Sequence, residues 1–87
     1  MASYRFAVDV MPRDGILDPQ GRAVQNALPQ LGAVSVHSAR IGRRVELTVE
    51  APDRTEARAL LERLASDFLS NPLVEQWQIE ELEAVAA

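Results

Sequence analysis

The strongest constraint on the fold is an alternation of apolar and polar side chains in two separate segments, residues 3–10 and 45–50. Successive side chains of a strand point to opposite faces of a sheet, so each segment predicts a strand with one buried face. A shorter alternation over 74–80 predicts another strand of the same kind. The apolar positions of the three segments are Tyr4, Phe6, Val8, Val10, Val45, Leu47, Val49, Trp77 and Ile79.

Two amphipathic helices are predicted between these strands. The first begins at Asp18, a good N-cap that a proline follows, and ends at Gly32. Because Pro29 lacks the N–H that the last turn needs, we expect a kink or an early, tightened end. The second begins after Asp53 and stops at Asn71, the residue before a proline. Their apolar stripes are Val24, Ala27, Leu28 and Leu31 in the first helix and Ala57, Leu60, Leu61, Leu64 and Phe68 in the second.

Residues 34–41 predict a further strand, although its apolar pattern changes phase. The two valines and the two later apolar residues lie on opposite faces. Either a bulge near Ser38 reconciles them, or the strand buries both faces, one of them against a partner. The short link at Gly42 predicts that this strand and the one over 45–49 form a hairpin.

The predicted order is therefore β-α-β-β-α-β, a split βαβ unit repeated. This order is typical of the ferredoxin-like βαββαβ plait in the α+β class, a four-stranded antiparallel sheet with two helices on one face. In the usual strand order, the strand over 34–41 lies at an edge and is free to pair with another chain. We expect one domain over residues 1–82, oligomeric through the sheet edge, and a C-terminal tail over 83–87.

Composition excludes several classes of function. The chain has no cysteine, which excludes disulfides, a thiolate nucleophile and cysteine-based metal centres. All nine basic residues are arginine, so Schiff-base chemistry and a phosphate-binding lysine are also excluded. The net charge of −4 argues against nucleic-acid and anionic-membrane partners. Neither a signal peptide nor an apolar run of ~18 residues is visible, so we expect a cytoplasmic protein without a membrane partner.

RNA binding needs a separate test, because some plaits stack bases on aromatic side chains of the open sheet face. Here the strand over 45–50 carries no aromatic residue, and Tyr4 and Phe6 share the phase of the core. The open face instead offers charges of mixed sign, mostly acidic: Arg5, Asp9, Glu46, Glu50 and Glu80. We therefore expect no nucleic-acid partner.

Candidate catalytic and metal-binding groups are few. His37 is the single histidine, and it lies on the non-core side of its predicted strand without an evident nucleophile beside it. Three aspartates around one loop could approach a cation, but turn and capping roles explain two of them: Asp9, Asp14 and Asp18. We expect no catalytic, cofactor-binding or metal-ligating residue. The hairpin arginines at 40, 43 and 44 either anchor an acidic partner or are simply solvated.

Three segments carry a family resemblance. They are Gly15-Ile16-Leu17-Asp18-Pro19-Gln20-Gly21 before the first helix, Arg40-Ile41-Gly42-Arg43 before an alternating strand, and Asn71-Pro72-Leu73-Val74-Glu75 entering the last strand. In this order and spacing they resemble the PurS family, the small subunit of phosphoribosylformylglycinamidine (FGAM) synthase, over residues 4–82. The sequence departs from that family at Arg43, where lysine is usual, and at Pro29 inside the first helix.

The resemblance implies a non-catalytic scaffold subunit of an enzyme of purine biosynthesis. In that family the small subunit joins a glutaminase subunit and a large ATP-dependent synthetase subunit, and the complex makes formylglycinamidine ribonucleotide. ATP, Mg²⁺ and glutamine would then be used by the partner subunits, with no cofactor on this chain. A homodimer or a dimer of dimers would hold the two active sites in register and aid ammonia transfer.

The resemblance and the predicted edge strand together give a set of expected partner-contact residues. They are Gly15, Leu17, Asp18, Pro19, Gln20, Gly21, Ala39, Arg40, Ile41, Gly42, Arg43, Asn71 and Pro72. The alternative function is a small-molecule sensing plait that binds a free amino acid. A stand-alone enzyme is a third possibility, but composition supplies no residue set for it.

Overall fold

The computed structural model describes residues 1–82, which form three strands and two α-helices. Their bounds are β1 Ala2–Pro12, α1 Pro19–Ala27, β2 Arg43–Ala51, α2 Arg54–Leu64 and β3 Glu75–Glu81. A 3₁₀ helix, Leu28–Leu31, continues α1, and a π-helical turn, Ala65–Leu69, continues α2. The tail predicted over 83–87 lies outside the described residues.

The strands form an antiparallel sheet in the order β2-β1-β3. The register places apolar residues opposite one another on a single face, because Val8 of β1 pairs with Val45 of β2 and with Ile79 of β3. Trp77 pairs with Val10 on the same face. The alternation read from the sequence therefore predicted both the strands and the face that they bury, and the α+β class is confirmed.

The core lies between this face and α2. Phe6, Val8 and Val10 of the central strand are buried, as are Ala57 and Leu61 of the helix. Burying a large apolar side chain contributes about 1.5–3 kcal/mol, so these few residues supply much of the stability of so small a chain. The α2 helix begins as predicted, because the side chain of its N-cap, Asp53, accepts a hydrogen bond from the backbone N–H of Glu56 at 2.8 Å.

The opposite face of the sheet carries an ion-pair cluster centred on Arg44. Its guanidinium lies 3.1 Å from a carboxylate oxygen of Asp9, 2.9 Å from one of Glu80 and 3.4 Å from one of Glu46. Arg5 adds a further contact to Glu46. The hydrogen bonds from Arg44 to Glu80 and Asp9 raise the pKa of its guanidinium, that to Glu80 most strongly.

The strand predicted over 34–41 is absent from the chain by itself, so the predicted hairpin with β2 is wrong. Side chains take the hydrogen-bond donors that such a hairpin would use. The N–H of Ile41 binds the carboxylate of Asp18, and the N–H of Ala39 binds the side-chain oxygen of Gln25. The described chain thus forms a three-stranded sheet rather than the predicted four-stranded one.

The first helix has the predicted ends but not the predicted packing. Asp18 caps it, Pro29 converts its last turn to a 3₁₀ helix, and Gly32 ends that turn with φ +84°. In the chain by itself, however, α1 makes its main contacts with that 3₁₀ helix and not with the sheet. The prediction of two helices on one face is therefore confirmed for α2 only.

Candidate functional site

The three segments of the family resemblance converge at one end of the sheet. They line a groove of about 360 Å³, here called the motif groove, formed by residues 16–20, 41–43, 74 and 75 together with Pro12. Ile16 and Leu17 contribute apolar surface from the loop after β1. Ile41 and Val74 face them from the other two segments. Segments whose groove-lining residues are at least 21 positions apart in the sequence therefore form one surface.

Asp18 joins the first segment to the second. One carboxylate oxygen accepts a hydrogen bond from the N–H of Gly21 at 3.0 Å, and the other accepts one from the N–H of Ile41 at 2.9 Å. These two backbone donors, with a smaller contribution from the charge of Arg40, lower the pKa of the Asp18 carboxyl below its ordinary value. The sequence predicted the capping role of Asp18 but not its bond to Ile41.

Two glycines allow this close approach. A Cβ on Gly21 would lie 2.8 Å from the carbonyl oxygen of Ala39 and would collide with the side chain of Asp18. A Cβ on Gly42 would collide with the carbonyl of Val10 in the central strand. Neither position can carry a larger residue without moving the backbone, so both glycines fix the second segment against the rest of the chain.

Arg43 joins the second segment to the third. Its guanidinium donates to both carboxylate oxygens of Glu75, at 2.7 and 3.0 Å, and to the backbone carbonyl of Leu69 at 2.6 Å. The bond from Arg43, followed by one from the N–H of Asn71, lowers the pKa of Glu75. The guanidinium uses its fork to reach both oxygens of Glu75, a geometry that a lysine ammonium cannot reproduce.

Arg13, which lies between β1 and the first segment, ties this part of the chain to the third segment. Its backbone N–H donates to the carbonyl of Val74 at 2.8 Å, and its Nε donates to the carbonyl of Pro72 at 2.9 Å. Nothing in the sequence singled out Arg13, since a lone arginine in a turn carries no positional signal. Arg40, by contrast, was predicted as a contact residue, and its side chain lies 3.4 Å from Asp14 on the other side of the loop.

The loop before α1 stands between two hollows. The motif groove lies on one side, and a more polar hollow of about 460 Å³ lies on the other, between Asp14, Arg22 and Arg40. Leu17 projects from the loop with 73% of its surface exposed, and Gly15 reverses the chain before it with φ +83°. Asn71 and Pro72 do not line the groove, but they fix the turn that presents Val74 to it.

The chemistry of the groove favours recognition over catalysis. Its two carboxylates, Asp18 and Glu75, accept hydrogen bonds from the chain's own donors, and both have lowered pKa values. A carboxylate that stays ionised near neutral pH is a weak general base and cannot act as a general acid. Among residues 1–82, no group of three His, Cys, Asp or Glu side chains is arranged to hold a metal ion. In the same residues, no helix is long and apolar enough to cross a membrane.

Comparison with known proteins places the same segments in a family. Residues 5–83 match the family model PurS, described as phosphoribosylformylglycinamidine (FGAM) synthase. The PurS subunit of FGAM synthase from Synechocystis is 41% identical over 78 residues, 90% of this chain and 78% of that protein. The subunit of the same name from Bacillus subtilis is 37% identical over 83 residues, 95% of this chain and 98% of that protein.

Solved structures show the same similarity in three dimensions. A structure of PurS from Bacillus subtilis superimposes with a TM-score of 0.79 at 36% identity, covering 92% of this chain and 99% of that one. A chain in the structure of PurLQS from Thermotoga maritima gives a TM-score of 0.86 at 30% identity, covering 94% of this chain and all of that one.

Proposed function

The chain belongs to the PurS family of FGAM synthase subunits in purine biosynthesis, and we propose that it is the non-catalytic scaffold that holds the other subunits of that enzyme together. The partners are a glutaminase subunit and a large ATP-dependent synthetase subunit. A similar chain occurs in the PurLQS structure from Thermotoga maritima, which supports this assembly. ATP, Mg²⁺ and glutamine are used on the partners, in the cytoplasm, and ammonia passes between them while this subunit keeps them in register.

The motif groove is the observation that carries this proposal. Its geometry is built by bonds within the chain, since Asp18 and Arg43 join the three segments. Its carboxylates already accept hydrogen bonds from donors of the same chain, whereas its apolar groups face outward. A surface that is pre-formed, partly apolar and without a nucleophile–base pair suits the docking of a protein partner. We therefore assign the predicted contact residues of the loop at 15–21, the segment at 39–43 and the turn at 71–72 to this docking surface.

Two exposed leucines are the best candidates for anchors: Leu17 lines the groove, and Leu73 directly precedes the lining residue Val74. Leu17 is 73% exposed, and Leu73, beside the turn, is 86% exposed. Single exposed apolar side chains are common on protein surfaces, but two of them beside a partly apolar groove form a patch that a partner would cover. Interface energy concentrates in a few such anchors, and their truncation commonly costs more than 1 kcal/mol of binding free energy.

In this proposal, a second copy of the chain supplies the fourth strand that the sheet of a single copy lacks. In an extended segment, the N–H groups of alternate residues point to opposite sides. Asp18 and Gln25 bind the N–H groups at 41 and 39, so those of Ser38 and Arg40 point the other way. The outer edge of β2 is also unpaired in the described sheet. Residues 34–41 of one copy then form the fourth strand on the β2 edge of another, giving the four-stranded sheet that the sequence predicts.

Assembly of the purified proteins tests the scaffold proposal. The tagged synthetase and glutaminase of the same organism are mixed with this chain, glutamine and ADP, and the retained proteins are quantified. We expect all three chains to be retained together, and Leu17→Glu to weaken retention about tenfold, which corresponds to ~1.4 kcal/mol. Ala59→Glu, on the exposed side of α2, is the matched control and should have no effect.

Failure of this chain to join either partner under these conditions would contradict the scaffold function. Equal retention of the wild-type chain and the Leu17→Glu variant would instead show that the motif groove is not part of the interface. A thermal shift of the isolated chain with free amino acids separates the alternative, since a sensing domain is stabilised by its ligand without any partner protein.

A further inference from the structure

We propose that the polar hollow beside the loop before α1 binds a phosphate group. The hollow has a volume of about 460 Å³ and is lined by Arg13, Arg22 and Arg40 together with two carboxylates, those of Asp14 and Asp18. It is here called the arginine hollow, and it lies on the opposite side of the loop from the motif groove. The proposal goes beyond the scaffold function, which requires no small ligand on this chain.

The three arginines reach the hollow from three different parts of the chain. Arg13 follows β1, Arg22 lies in the first turn of α1, and Arg40 precedes β2. Each guanidinium presents several N–H donors in one plane, a geometry that matches the oxygens of a phosphate. Cations that approach one volume from separate directions can contact a tetrahedral anion on more than one side.

All three guanidinium groups have donors to offer a ligand. Among residues 1–82, no carboxylate lies within ion-pair distance of Arg22. The Nη1 atom of Arg40 lies 3.4 Å from Asp14. The Nε atom of Arg13 donates to the carbonyl of Pro72, which leaves the two terminal nitrogens of its fork for another acceptor.

The two carboxylates do not close the hollow to an anion. The oxygens of Asp18 accept hydrogen bonds from the backbone N–H groups of Gly21 and Ile41. These bonds, and then the charge of Arg40, lower the pKa of Asp18, so the field of Arg40 acts within the hollow. Asp14 is 95% exposed at the rim. A phosphate dianion carries more charge than the Asp14 carboxylate and can displace it from Arg40.

Charge and size favour a small phosphorylated molecule over a polymer. Three arginines and two aspartates give the hollow a net charge of +1, whereas the whole chain carries −4. Because charges beyond ~8 Å are screened at physiological ionic strength, a small anion responds mainly to the hollow itself. A nucleic acid or an anionic membrane would also meet the acidic surface around it. The volume of about 460 Å³ falls within the range of ~300–1,000 Å³ that is typical of small-ligand sites.

Titration of the whole chain with inorganic phosphate tests the proposal. Amide NMR spectra are recorded during the titration and in a parallel series with sodium chloride at the same ionic strength. We expect saturable shifts around residues 13–15, 22 and 40 in phosphate but not in chloride. Arg22→Gln should weaken binding about tenfold, because it removes a charged pair of donors. Arg63→Gln, on the exposed side of α2, is the matched control and should leave the affinity unchanged.

Asp14→Asn gives a prediction of the opposite sign. It removes the carboxylate that competes with phosphate for Arg40, so binding should tighten, by up to about fivefold. Asp67→Asn, just beyond α2, is its control and should have no effect. Ribose 5-phosphate in a second titration distinguishes the two sources of the phosphate group. Tighter binding of the ester identifies an organic phosphate as the ligand, and tighter binding of the free ion identifies inorganic phosphate.

Identical shifts in phosphate and chloride would overturn the proposal, because they would report ionic screening alone. Equal phosphate affinities of the wild type, Arg22→Gln and Asp14→Asn would overturn it as well. Either result would leave the scaffold function standing, since retention of the chain by the two enzymes is measured separately.

Discussion

The carboxylate of Asp18 accepts a hydrogen bond from the backbone N–H of Ile41 at 2.9 Å, across 23 positions of the chain. The same side chain caps α1 through Gly21. One residue therefore starts a helix, fixes the direction of the returning chain and forms one wall of the motif groove. The loop that carries the family resemblance therefore positions the start of α1 and the groove together.

Removing the carboxylate of Asp18 should destabilise both the start of α1 and the motif groove. Asp18→Ala deletes two hydrogen bonds to backbone donors, and we expect a lower melting temperature and weaker retention of the chain by the synthetase and glutaminase. Asp18→Asn keeps one acceptor oxygen and should be intermediate. Circular dichroism melts of the three proteins check the order. An alanine variant as stable as the wild type would show that the bond to Ile41 contributes nothing.

Gly21→Ala tests the close packing of α1 against the backbone at Ala39. Alanine normally stabilises a helix relative to glycine, by up to ~1 kcal/mol. Here the added methyl would lie 2.8 Å from the carbonyl of Ala39, so we expect a net destabilisation of about 1–3 kcal/mol. Urea unfolding measures it. Gly15→Ala is the control for a glycine with open space around it, where only the strain of φ +83° should appear.

Arg43→Lys tests whether the guanidinium fork of Arg43 matters for stability. The substitution keeps the charge but loses the two-point contact with Glu75 and the bond to the carbonyl of Leu69. Because both ends are partly exposed, the expected loss of folding free energy is small, about 0.5–1 kcal/mol. The same change at Arg63, on the exposed side of α2, should be neutral. Equal effects at the two positions would refute a specific role for Arg43.

Acid should destabilise the groove before it disrupts the core. The pKa of Glu75 is lowered below its ordinary value of 4.5, chiefly by the hydrogen bond from Arg43 and then by the N–H of Asn71. Its contribution to stability is therefore complete above about pH 4.5 and is lost as the pH falls through the lowered value. We expect Glu75→Gln to flatten the fall in stability between pH 5 and pH 3, as measured by urea unfolding. An unchanged pH profile would contradict this assignment.

Substitutions of buried and of exposed apolar residues should differ in their effects on stability and on self-association. Leu61→Ala leaves a cavity in the buried core and should cost about 2–5 kcal/mol. Phe68→Ser removes a side chain that is 78% exposed in the single chain, so its effect should fall on dimerisation rather than on folding of the protomer. Sedimentation across a dilution series, compared with unfolding of each variant, measures the two effects. Loss of protomer stability in Phe68→Ser without a change in association would contradict a role of Phe68 in self-association.

Sequence patterns predicted the strands and helix ends that depend on interactions between residues close in the sequence. Alternation identified three strands and their buried face, and the capping roles of Asp18, Gly32 and Asp53 are those found in the structure. The strand over 34–41 was predicted wrongly for the single chain because side chains distant in sequence, such as that of Gln25, take its N–H groups. Hydrogen bonds of this kind leave no periodic pattern in the sequence from which they could be predicted.

For the candidate site, too, the sequence identified the residues but not the contacts between them. Residues of the three segments could be selected by their resemblance to a family, but not the bonds that bring them together. Arg13 in particular reaches the carbonyls of Pro72 and Val74 about 60 positions away, and a turn arginine gives no sign of that. Phe68 was expected in the core, and its exposure follows from the absence of a second helix on the single chain's sheet.

Reconstitution of glutamine-dependent FGAM synthesis tests the central claim most directly. The synthetase and glutaminase are assayed with formylglycinamide ribonucleotide, ATP, Mg²⁺ and glutamine, with and without this chain. The scaffold function predicts that glutamine-dependent product appears only when the chain is added, while ammonia-dependent synthesis by the synthetase continues without it. Full glutamine-dependent activity in the absence of the chain would contradict the account.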